Sequence, residues 1–268
     1  MTEQDGLLAR FSSEPVPSGQ NADRVADLLK VMAHLRAPGG CPWDAEQTHR
    51  SLAKHLLEET HEVLEAIDLD DPERLRDELG DLLLQVVFHA EMARETGDFD
   101  IDDIASGTVE KLIRRHPHVF GDVEVASAGE VLANWERIKE DENGPRGIDE
   151  DIPATLPALA RASKVQRRAA GQGFEWRTKE AAIDKLREEV EELAVASADE
   201  AEDELGDVLF AATAVARLSG VDPESALRRA TSRFALRYES MLTRAGDEGV
   251  NLESLSEEQL LKFFRDSR

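Results

Sequence analysis

Apolar residues recur at helical spacing along the chain, and in two places an acidic residue stands where that pattern calls for a leucine. Leu52, Leu56 and Val63 mark one stripe, and Glu59 falls inside it, seven residues after Leu52 and four before Val63. Glu62 adjoins Glu59 on the same side of that helix. A second helix follows in which Leu75, Leu79 and Leu82 flank Glu78 and Asp81. Asp71-Pro72-Glu73 opens it with an N-cap and a proline at the first helical position. The connection between the two helices is short, so they are predicted to lie antiparallel with their acidic segments facing.

The pattern then repeats. Glu189 lies between Leu186 and Leu193 with Glu192 beside it, and Glu204 and Asp207 stand on the following helix, which opens at Ser197-Ala198-Asp199-Glu200 with capping-box spacing. Each copy is preceded by a Gly/Trp loop, Gly39-Gly40-Cys41-Pro42-Trp43 in one and Gly171-Gln172-Gly173-Phe174-Glu175-Trp176 in the other. Further on, Lys111 and Arg115 match Arg233 and Arg237, both pairs four residues apart. The chain is thus an internal repeat. A polar extension is expected over 1–20, a first domain over 21–140, an acidic Gly/Pro linker over 141–157 and a second domain over 158–268.

Composition sharpens the fold class. Leu, Ala, Glu, Asp and Arg are abundant while aromatics and β-branched runs are scarce, which predicts an all-α protein with four-helix-bundle-type cores. The single cysteine, Cys41, permits no intrachain disulfide, and it is expected to pack as a small apolar side chain. With no signal-peptide pattern in Met1 to Gln20 and no apolar stretch of spanning length, a cytoplasmic, non-membrane protein is expected. A formal net charge of −25 argues against a polymeric nucleic acid as partner. Small anions remain acceptable where a metal or a local basic cluster receives them.

A lone Glu-Glu-x-x-Glu is ordinarily solvated charge. Here it intrudes on an apolar stripe, is paired with Glu-x-x-Asp on the next helix, and occurs twice. Four converging carboxylates repel one another and resist desolvation, and hard divalent cations relieve both. The expected metal ligands are Glu59, Glu62, Glu78 and Asp81 in one copy and Glu189, Glu192, Glu204 and Asp207 in the other. With no His or Cys among them, Mg²⁺ fits best and Mn²⁺ is its natural substitute. Glu58 and His61 have the Glu-x-x-His spacing of di-iron bundles, but Glu191 replaces the histidine in the second copy and neither second helix supplies one.

These residues resemble the MazG family of all-α nucleoside triphosphate pyrophosphohydrolases, marked by Glu-Glu-x-x-Glu followed on the next helix by Glu-x-x-Asp. The segments CPWDAEQTHRSLAKHLLEET, DELGDLLLQVVFHAEMA, KLIRRHPHVFGDV and LANWERIK look like the family's N-terminal domain, and VQRRAAGQGFEW, KLREEVEEL and DELGDVLFA like its C-terminal domain. The resemblance implies hydrolysis of nucleoside triphosphates to the monophosphate and pyrophosphate, in a nucleotide-pool housecleaning role. It also implies that Lys185 meets the phosphates, that Arg233 and Arg237 grip the polyphosphate, and that Lys111 and Arg115 do so in the first copy. Glu188 is the candidate to orient or deprotonate the attacking water. Trp43 and Trp176 could stack on a base, although aromatics beside apolar helices more often pack in cores. His116 and His118, beside Pro117, read as loop-packing residues rather than phosphate ligands.

Two positions depart from the family pattern. A phosphate-side lysine found in some members just before Glu-x-x-Asp is Glu200 here, and the C-terminal tryptophan is replaced by Phe263 or Phe264. A ferritin-like di-iron protein and a non-catalytic acidic scaffold are the competing readings. An apolar face left on each hairpin, together with the resemblance, implies a homodimer that completes the bundles. The second copy is expected to carry most of the turnover, because His55 stands in the first copy where Lys185 stands in the second.

Overall fold

The computed structural model describes residues 22–144, 147–150 and 152–267. The expected extension 1–20 lies outside them. The described residues form helices, turns and one 3₁₀ segment, with no strand, and the chain divides into two compact units after Gly144. Among the described residues no helix is long and apolar enough to cross a membrane.

In the first unit, α1 (Ala22–Arg36) and the short α2 (Pro42–Glu46) precede a long hairpin of α3 (His49–Asp68) and α4 (Pro72–Thr96). Thr48 caps α3 in a reciprocal pair with Ser51, and Asp71 caps α4 by accepting from the amides of Glu73 and Arg74. The tight connection puts Asp70 at φ 55, and Gly97 ends α4 in a left-handed conformation. The core is Met32 from α1, Leu52 from α3, and Val87, Phe88 and Met92 from α4. Fully burying such side chains contributes about 1.5–3 kcal/mol each. Arg36, its side chain only 7% exposed, ties α1 to α4 by two hydrogen bonds to Glu95, at 2.8 and 2.7 Å, and lies over the Phe88 ring. Then come α5 (Ile101–Arg115), capped by Asp100, α6 (Pro117–Phe120) and α7 (Ala128–Asn143), which packs on α5. Since α7 runs to Asn143, the first positions expected in the linker belong to a helix.

The second unit contains α8 (Ala158–Gly171), a hairpin of α9 (Lys179–Val195) and α10 (Ala201–Leu218), then α11 (Pro223–Glu248) and α12 (Glu257–Asp266). Its buried positions are mostly small, with Ala169, Ala182, Ala211 and Ala214 joined by Thr213, Met241 and Ala245. Larger residues stand outside: Val190, Leu205, Leu209 and Phe210 are all more than 40% exposed. The first hairpin likewise leaves Leu56, Leu79, Leu83 and Val86 exposed. Leu56 thus departs from Leu52 and Val63, its buried neighbours on the same stripe. Trp43 departs too, being 54% exposed with its ring edge-on to His55 rather than in a core. Cys41 is half-buried.

Candidate metal centre

Each hairpin holds its acidic residues where its two helices face one another. In the first, one carboxylate oxygen each of Glu59, Glu78 and Asp81 lie within 4.8 Å of one another, and in the second Glu189, Glu204 and Asp207 do the same. No histidine or cysteine joins either group among the described residues. Three of each expected four carboxylates are thus brought together. The fourth stands alongside, Glu62 hydrogen-bonded to Glu59 and Glu192 to Glu189.

Burial and like charge act together on these groups. Burial, then the charges of Asp81 and Glu62, raise the Glu59 carboxyl above its ordinary range. Glu192 is raised as well, by desolvation first and then by its hydrogen bond to Glu189, with Lys185 opposing. Glu189 itself is only 7% exposed. The Oε2 atom of Glu204 is buried without a hydrogen-bond partner, a state a native structure rarely leaves uncompensated. A hard cation among three carboxylates would satisfy that atom and offset the repulsion, so the residues fit a divalent ion bound through oxygen. Glu58 and His61, the pair with di-iron spacing, take no part: Glu58 faces His55 at 3.5 Å, and neither residue joins the triad.

The cations around the two centres differ. Lys185 Nζ lies 2.8 Å from Glu189 and 2.6 Å from Glu188, and these partners raise its pKa. At the matching place in the first copy, His55 faces Glu58 at 3.5 Å and the edge of the Trp43 ring. There Arg74, which the sequence reading passed over, donates from Nε to Glu78 at 3.2 Å and pairs with Glu65 across the hairpin. Its i,i+4 spacing to Glu78 was the available signal.

The residues expected to grip phosphate are dispersed in role. Lys111 and Arg233 are exposed. Arg115 pairs with Glu142 of α7 at 2.6 Å and lies over the Trp135 ring, while Arg114 meets the other oxygen of Glu142 at 2.5 Å. The two guanidiniums hold the Glu142 carboxyl down to about 2. Glu142 was expected in the linker and is instead a brace between α5 and α7. Arg237 donates to the carbonyls of Phe264, Arg265 and Ser267 at the end of α12 and lies over the Phe264 ring. Phe264, packed against Phe234, therefore adjoins the basic pair, while Phe263 pairs with Arg244. Trp176 is half-buried, next to Glu175, which forms an ion pair with Arg217 at 2.5 Å. His116 donates from Nδ1 to the carbonyl of Leu112 and stacks obliquely on His118; both are half-buried, consistent with a packing role.

Comparison with known proteins places these hairpins. The description "MazG nucleotide pyrophosphohydrolase domain" matches residues 47–120, and "Phosphoribosyl-ATP pyrophosphohydrolase" matches residues 162–233. A nucleoside triphosphate pyrophosphohydrolase of Escherichia coli (strain K12) is 45% identical over 250 residues, covering 88% of this chain and 95% of the relative. The nucleoside triphosphate pyrophosphohydrolase/pyrophosphatase MazG of Thermotoga maritima is 43% identical over 245 residues, covering 90% and 94%.

Proposed function

The chain belongs to the MazG family of nucleotide pyrophosphohydrolases, and from that premise we propose that it hydrolyses nucleoside triphosphates to monophosphate and pyrophosphate at Mg²⁺-dependent carboxylate centres. The observation that carries the reading is the twin triad, above all the buried, unpartnered Glu204 oxygen beside Glu189 and Asp207. Glu189, Glu204 and Asp207 hold the ion in the second copy, with Glu192 completing the set; Glu59, Glu78 and Asp81 do so in the first, completed by Glu62. Mn²⁺ serves as a substitute. A bound divalent cation supplies Lewis-acid polarisation of the phosphoryl oxygens.

The chain's own side chains supply the rest. Lys185 turns from Glu188 and Glu189 to the phosphate charge that grows in the transition state. Glu188, 58% exposed and held by Lys185, accepts the proton of the attacking water. Arg233 and Arg237, with Lys111 and Arg115 in the first copy, face the polyphosphate, and Trp176 lies in the loop that precedes the catalytic hairpin. Arg237 and Arg115 must first exchange their present partners for phosphate. The exposed apolar residues of each hairpin are the faces on which a second copy of the chain docks to form a homodimer. The protein acts in the cytoplasm, on the free nucleotide pool.

Metal depletion and reconstitution test this assignment. EDTA-treated protein should lose triphosphate hydrolysis and regain it with Mg²⁺, and Glu204→Gln should lower kcat at any Mg²⁺ concentration. Full hydrolysis in EDTA would contradict the proposal.

A further inference from the structure

Superimposing the two copies by their acidic residues pairs Glu59 with Glu189 and Glu78 with Glu204, and hence His55 with Lys185 and Arg74 with Glu200. Each copy then has a long cationic side chain beside its triad, contributed by opposite helices. In the second copy it is Lys185, one turn before Glu189 on α9; in the first it is Arg74, one turn before Glu78 on α4. The counterparts are spent elsewhere. His55 faces Glu58 at 3.5 Å, and Glu200 accepts from the amide and hydroxyl of Ser197 at 3.1 and 2.7 Å. We propose that Arg74 is the substrate-binding cation of the first centre, held on Glu78 until a metal takes that carboxylate and then released to the triphosphate.

The inference rests on the metal-centre reading above and follows from charge. Both cations make the same pair of contacts, one to a carboxylate of the triad and one to a carboxylate outside it: Glu78 and Glu65 for Arg74, Glu189 and Glu188 for Lys185. Three carboxylates within 4.8 Å require compensation. With no ion bound, the neighbouring side chain supplies it. A divalent ion does so more strongly and repels the guanidinium, leaving it Glu65 and the phosphate that the ion brings beside Glu78. Arg74 and Lys185 are similarly accessible, 35% and 33% exposed, so neither is locked by packing. Glu65 keeps Arg74 at the hairpin during the exchange, and Val195, which matches Glu65 by the same alignment, offers no such anchor in the copy that lacks Arg74. A guanidinium also offers two parallel donors to a phosphate, which an imidazole at position 55 cannot.

Loss of Arg74 should have two binding effects of opposite sign. In the full chain carrying Glu204→Gln and Asp207→Asn to silence the second centre, Mn²⁺ affinity and affinity for the α,β-methylene triphosphates of the four bases would be measured by calorimetry. Arg74→Ala should tighten Mn²⁺ alone several-fold, because a competing cation has gone, and weaken analogue binding in Mn²⁺ at least tenfold. Arg74→Lys should keep most of the analogue affinity. Unchanged analogue affinity in Arg74→Ala, or parallel loss of Mn²⁺ and analogue as expected of a mere brace between helices, would overturn the proposal. Absence of Mn²⁺ binding with Arg74 in place would overturn the metal centre itself, and this proposal with it.

Discussion

The ammonium of Lys185 lies 2.8 Å from Glu189, the most buried carboxylate of its triad, from one turn earlier on the same helix. A group so placed is within a short swing of anything bound at the triad. Lys185→Ala is expected to lower kcat on the order of 10²-fold, the usual loss for one contact to transition-state charge, whereas His55→Ala should change it little. Steady-state kinetics at saturating Mg²⁺ decides this, and equal losses from the two substitutions would contradict a phosphate contact that Lys185 makes and His55 does not.

Glu59 and Glu192 both sit above their ordinary carboxyl range. A carboxyl raised by folding contributes stability at low pH that is lost as pH rises through its folded value, so near neutrality the ionised clusters oppose folding until a cation binds. Mg²⁺ should therefore raise the melting temperature at pH 7, EDTA should lower it, and the gap between the two curves should shrink as pH falls toward 5. Scanning calorimetry across that range checks it. A gap that widens on acidification would mean the clusters are not the source.

Glu142 behaves in the opposite sense. Its carboxyl is held at about 2 by Arg115 and Arg114, so its contribution is present above the ordinary carboxylate pKa and is lost as pH falls through the folded value. Glu142→Gln should lower the melting temperature at pH 7 and leave it nearly unchanged at pH 2. Equal effects at both pH values would assign the residue a packing role alone.

The hairpins were legible in the sequence because their signals are local. Leucines at helical spacing, Asp71 before Pro72, and a short connection sufficed to predict that Glu59 would face Glu78 and Asp81. What escaped depends on contacts distant in the chain. Nothing local to Leu56 distinguishes it from Leu52, yet Leu56 is exposed while Leu52 belongs to the buried cluster of Met32, Val87, Phe88 and Met92. Arg115 looked like a partner for phosphate until α7 brought Glu142 to it from 27 residues away. Arg74 could have been found from its spacing to Glu78, but its second partner, Glu65, becomes visible only when the hairpin closes.

The two centres should be unequal. In the first, Arg115 must leave a charged partner, Glu142, before it can meet phosphate, whereas the partners of Arg237 among the described residues are neutral, three carbonyls and the Phe264 ring. Lys185 and Glu188 also have no like counterpart pair in the first copy, where His55 and Glu58 stand. Glu189→Ala is therefore expected to reduce kcat more than Glu59→Ala at saturating Mg²⁺. The reverse order would place the working centre in the first unit.

The bond that breaks defines the enzyme. Incubation of the protein and Mg²⁺ with a panel of canonical and modified nucleoside triphosphates, followed by anion-exchange chromatography of the products, reads it directly. Equal amounts of nucleoside monophosphate and pyrophosphate, absent in EDTA, are predicted; nucleoside diphosphate with orthophosphate would contradict cleavage between the α and β phosphates.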